Sequence, residues 1–63
     1  MPNSNTEREL QQPTRYREQA AEYRRQAERL GRAGYRDQAA RQLLEARLND
    51  LEAIAYEAIS RVA

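Results

Sequence analysis

Leu30-Gly31-Arg32-Ala33-Gly34-Tyr35 is the stretch on which this 63-residue chain turns. Two glycines within four residues interrupt a sequence otherwise almost free of helix breakers, and either can take the left-handed C′ position that ends a helix. Before the turn, apolar residues fall at Tyr16, Ala20, Tyr23, Ala27 and Leu30. At about 100° per residue these five stay within one narrow stripe, a heptad seam, while Arg15, Arg17, Glu18, Glu22, Arg24, Arg25, Glu28 and Arg29 occupy the rest of the circumference. After the turn, the chain runs to its end without Gly or Pro, and Asp37 stands early, where a negative charge suits the helix dipole. The stripe of this second segment is Ala40, Leu44, Leu48, Leu51, Ala55, Ala58 and Val62, flanked by Ile59 on one side and by Leu43 and Ile54 on the other. Two antiparallel helices and a tight turn make an αα-hairpin, with helices expected over 14–30 and 35–62 and a turn at 31–34.

Residues 1–12 are expected to be flexible or partly helical. Thr6-Glu7-Arg8-Glu9 has the form of a capping box, but Pro13 inside a helix loses a backbone bond and crowds the carbonyl of Glu9, at about 3 kcal/mol. The simpler reading starts the helix at Pro13 or Thr14.

Composition agrees with an all-α fold. Ala, Arg, Glu, Leu and Gln make up two thirds of the chain and all form helices readily, whereas one Val, two Ile, two Thr and no Phe or Trp leave little for a sheet. With no Cys and no His, disulfides and most transition-metal sites are excluded, and so are the usual nucleophile and general-base pairings. Glu45, Asp50, Glu52 and Glu57 lack the His that di-iron bundles combine with Glu. The expectation is a protein that is not an enzyme and holds no cofactor or metal. The N-terminus has neither a basic segment nor an apolar one, and no 18 apolar residues run together, so the chain reads as cytoplasmic with no membrane partner.

Small scaffolds without disulfides or metals usually rely on association. A helix from Thr14 to Leu30 is about 26 Å long and one from Tyr35 to Val62 about 42 Å, so roughly three turns around Ile54, Ala55, Ala58, Ile59 and Val62 lack cover. Either residues 6–12 form a turn of helix that folds Leu10 back over Ile54 to Ile59, or a second chain covers them. Two helices enclose no core, and a dimeric four-helix bundle raises burial per residue. The expected interface comprises Tyr16, Tyr23, Leu30, Leu44, Leu48, Leu51, Ile54, Ala55, Ala58, Ile59 and Val62, and the expected partner is a second copy or another helical protein. Tyr56, off the stripe beside Ile59, reads as either an ordinary amphipathic surface residue or an interface anchor, and the preference of Tyr for interfaces favours the anchor. Exposed pairs Asp37–Arg41, Arg41–Glu45 and Glu57–Arg61 are expected to brace the second helix.

Charge is nearly balanced at +1, yet Arg24, Arg25, Arg29, Arg32, Arg36 and Arg41 gather at the turn against Glu28 and Asp37. A basic turn end with Tyr35 beside it suits phosphates and a stacked base, which makes Arg24, Arg25, Arg29, Arg32, Tyr35 and Arg36 candidate nucleic-acid contacts. The same cations also oppose the dipole at the end of the first helix. The basic end and the acidic remainder would orient two hairpins head to tail.

At Tyr23, Ala27, Leu30, Gly34, Ala39, Leu43 and Ala46 the spacing resembles one tetratricopeptide repeat. Gln26 stands at that family's Leu and Leu51 at its closing Pro, and the likeness implies αα-hairpin packing. In length and architecture the chain also resembles the Rop-type dimeric hairpins. That resemblance implies an antiparallel four-helix bundle that binds paired RNA loops, although this chain has no Phe for that family's RNA face. The functional expectation is a helical protein–protein interaction module that self-associates through the second helix. The alternatives are an RNA-binding regulator and a small chaperone- or antitoxin-like subunit of a heteromeric complex.

Overall fold

The computed structural model describes the backbone of residues 4–62 and the side chains of residues 12–62. Two helices, α1 (Ser4–Arg32) and α2 (Arg36–Val62), form an antiparallel all-α hairpin, and no strand occurs among the described residues. Of the two glycines, Gly34 makes the turn, with φ 90°. Its N–H donates to the Gly31 carbonyl at 3.1 Å, and the Tyr35 N–H donates to the Leu30 carbonyl at 2.9 Å. These are the two bonds of a Schellman motif with Gly34 at C′. Gly31 stays helical inside α1. The Tyr35 carbonyl accepts from Ala39 N–H at 2.9 Å, so the residue that closes α1 also opens α2.

The first helix starts ten residues earlier than the Thr14 expected from Pro13. Pro13 lies inside α1, where the helix continues with one backbone bond missing because strong helix formers stand on both sides. Thr6 therefore lies within the helix instead of capping it. The expected packing of Leu10 over Ile54 to Ile59 lies outside the described side chains. With 29 and 27 residues the arms are about 43 and 40 Å long. The length mismatch inferred from a start at Thr14 is absent.

The larger correction concerns α2. Toward α1 it turns Ala39, Ala46 and Ala53, all buried, with Gln42, Asn49 and Tyr56 half-buried between them. The stripe of Leu44, Leu48 and Leu51 faces the other way. On α1 the expected seam is in place: Ala20 and Ala27 are buried, and Tyr16, Tyr23 and Leu30 are half-buried. Tyr16 stacks on Tyr56 with ring centroids 5.7 Å apart and planes 17° from parallel. Arg17 Nε and Nη2 both donate to Glu57 Oε1, at 2.9 and 2.7 Å, and Arg24 pairs with Asp50. These contacts set a register that brings Ala20 level with Ala53, and Ala27 level with Ala46.

The rotation of α2 has a physical basis. Buried alanines lie level with one another along the seam, Ala20 with Ala53 and Ala27 with Ala46, and such alanine layers let two helices approach closely. Turning the leucines inward would carry Asp50 and Glu57 away from Arg24 and Arg17. The seam is also partly polar: Asn49 Nδ2 donates to its own helix at the Glu45 carbonyl, 2.8 Å away, and Gln42 Oε1 is buried without a partner. The result is a rod of 51 × 19 × 11 Å with a radius of gyration of 14.7 Å, against about 11 Å for a globular chain of this length.

Candidate interaction face

Since α2 packs on α1 through its alanines, its larger apolar side chains are left in water. Leu43, Leu44, Leu48, Leu51, Ile54, Ile59 and Val62 are exposed, from 47 % at Leu48 to 89 % at Val62. Ala40, Ala55 and Ala58 are exposed between them. At 3.6 residues per turn, the line through Leu44, Leu48, Leu51, Ala55, Ala58 and Val62 lies about 160° around the helix from the line through Ala39, Ala46 and Ala53. One helix thus carries two apolar faces back to back.

The magnitudes are unequal. A buried methyl contributes about 0.8 kcal/mol, whereas fully burying a Leu, Ile or Val contributes about 1.5–3 kcal/mol. No large apolar side chain among the described residues is fully buried. The accessible surface of 5360 Å² exceeds by about 1,200 Å² the roughly 4,200 Å² of a compact monomer of this mass. That excess is larger than the roughly 800 Å² each partner contributes to a standard interface.

The expected interface residues divide into two groups. Leu44, Leu48, Leu51, Ile54, Ala55, Ala58, Ile59 and Val62 share the exposed face. Tyr16, Tyr23 and Leu30 do not join them, being placed against α2 of the same chain. Tyr56 belongs to the inner seam, where it anchors the hairpin against Tyr16. Burial, then the nearby Tyr56 and Glu52, raises the Tyr16 hydroxyl above its ordinary value of 10.0.

At the turn, Arg25 donates to Glu22 at 2.5 Å and Arg32 to Glu28 at 2.5 Å. The hydrogen bond and charge of Arg25 hold the Glu22 carboxyl below the usual carboxylate range. With Arg24 committed to Asp50, three of the expected nucleic-acid contacts are already paired. Arg29 and Arg36 have no ion pair among the described residues, and Tyr35 beside them is 56 % exposed. The expected pairs of Asp37 with Arg41, Arg41 with Glu45 and Glu57 with Arg61 do not occur among the described residues; Glu57 reaches across to Arg17 instead of to Arg61.

An open groove of about 550 Å³ runs beside the face, lined by Arg24, Leu43, Leu44, Ala46, Arg47 and Asp50. No cluster of three or more potential metal-ligating side chains occurs among the described residues, and no described helix is long and apolar enough to cross a membrane. Comparison with protein families, curated proteins and solved structures finds no match.

The inner seam of α2 is what sequence reasoning missed. Its signal is the seven-residue spacing of Ala39, Ala46 and Ala53, which matches that of Ala20 and Ala27. A second signal is the pair Asp50 and Glu57, seven apart like Arg17 and Arg24.

Proposed function

We propose that this chain is a non-enzymatic self-association module in which the outer face of α2 packs against the same face of a second copy. The observation that carries the reading is the exposed stripe of Leu44, Leu48, Leu51, Ala55, Ala58 and Val62 on the side of α2 turned away from α1. A contiguous apolar face of this kind marks an interaction surface. A second copy fits it because the stripe is uninterrupted by charge and repeats at heptad spacing, so it is complementary to itself. The chain also exposes more surface than a compact monomer of its mass. In such a dimer the two α2 helices form the centre and the α1 helices lie outside, since the outer face of α1 is polar. Sedimentation at micromolar concentration tests the reading: the wild-type chain forms dimers, and Leu51→Asp is monomeric. A wild-type monomer would contradict it.

A second reading rests on the exposed Tyr35 between Arg29 and Arg36, with nucleic acid as partner. It requires binding that weakens steeply with salt and is lost in an Arg29→Ala, Arg36→Ala double variant. Binding insensitive to salt would exclude it.

A further inference from the structure

We infer that the two copies associate with their α2 helices parallel, both turns at the same end. This inference rests on the self-association proposed above and follows from which residues flank the exposed stripe. Leu44, Leu51 and Ala58 occupy one core position of the heptad and Leu48, Ala55 and Val62 the other. Arg47, Ile54 and Arg61 then run along one edge, with Glu45, Glu52 and Ile59 along the other. In a parallel pair each edge meets the opposite edge of its partner, five residues further on. Arg47 then faces Glu52 and Ile54 faces Ile59, each twice by symmetry. The isoleucines close over the narrow layers at Ala55 and Ala58.

In an antiparallel pair like edges meet. With the helices aligned to bury the whole stripe, Leu44 lies opposite Val62 and Leu51 opposite Ala55. Arg47 then faces Arg61, twice, and Glu52 faces its own copy. None of Arg47, Arg61, Glu45 and Glu52 has an ion pair within its own chain among the described residues, so these charges are free to decide the orientation.

The opposing influence is the basic turn end, which favours a head-to-tail arrangement. It is the weaker of the two. Arg24, Arg25 and Arg32 are neutralised within the chain. One turn beyond Leu44, Asp37 and Arg41 continue the seam; in the parallel arrangement each lies level with its own copy, with the other copy's oppositely charged residue one layer away. The edge pairs act at contact distance, where screening is least effective.

Two readouts test this. The chain has no cysteine, so Val62→Cys introduces a single thiol. Parallel helices bring the two thiols side by side, and under a glutathione redox buffer the variant forms a disulfide-linked dimer. Antiparallel helices separate them by about 27 Å along the axis; Val62→Cys alone then stays reduced, while mixing it with Leu44→Cys gives the mixed disulfide. The second readout is charge. In the parallel arrangement Arg47→Glu weakens dimerisation about ten-fold, and adding Glu52→Arg restores it. In the antiparallel one, Arg47→Glu faces Arg61 and tightens the dimer. The disulfide at position 62 with weakening by Arg47→Glu is the expected result. A dimer that shows the mixed disulfide and tightening overturns the orientation and leaves self-association standing, whereas a wild-type monomer overturns both.

Discussion

Gly31 and Gly34 stand three residues apart and have opposite tolerances for a side chain. Gly34 holds φ 90°, a conformation that costs an L-residue about 1 kcal/mol or more. Gly31 lies in regular helix with open space where a Cβ would go. Gly34→Ala therefore lowers stability by about 1 kcal/mol, and Gly31→Ala raises it by about 0.5–1 kcal/mol. Urea denaturation at matched chain concentration measures both. Two glycines in four residues make the turn legible in the sequence; which of them closes it depends on the hydrogen bonds of the Schellman motif. Pro13 was less legible, because the cost of one missing backbone bond is local while the propensity of the residues around it is summed over many.

Tyr16 gives a pH signature at the same scale. Burial beside Tyr56 and Glu52 favours its neutral form and raises its pKa from 10.0. Its contribution to stability is complete below the ordinary tyrosine pKa and is lost as the pH rises through the higher value in the folded chain. Tyr16→Phe removes this alkaline component, so stability followed from pH 8 to pH 11 falls less steeply in the variant than in the wild type. An unchanged slope would place the ionisation elsewhere.

At the scale of elements, α2 bears two apolar faces, and hydrophobicity alone selects the wrong one for the hairpin. Leucines outrank alanines on any transfer scale, so the Leu44–Leu48–Leu51 stripe dominates a reading of α2 taken by itself. The alanine face emerges only when α1 is considered with it: Ala20 and Ala27 repeat at the same seven-residue spacing as Ala39, Ala46 and Ala53, and Arg17 and Arg24 find carboxylates at that spacing in Asp50 and Glu57. The all-α hairpin, its turn and the α1 seam were thus readable from local signals, whereas the facing of α2 is a property of the pair. Ala46→Leu tests the facing directly. On an outer face it would be harmless; at the buried seam, where Ala46 is 2 % exposed, overpacking lowers stability by about 1–3 kcal/mol. Thermal unfolding of the variant decides between the two.

For the whole molecule, shape and surface lead to the same conclusion. A rod 11 Å across in its thinnest direction is one layer of helices, and one layer covers each helix on one side only. Polar residues on the outside of α1 make that acceptable for the first helix. For α2 the uncovered side is leucine and isoleucine, and burying it against a second copy adds a layer contact without lengthening the chain. In the proposed dimer association and folding are linked, so that stability is expected to rise with chain concentration. The most direct measurement is sedimentation equilibrium of the wild-type chain and Leu51→Asp at micromolar concentration. Self-association requires twice the 7.4 kDa chain mass for the wild type and the single-chain mass for the variant; a wild type that sediments at the single-chain mass would contradict it.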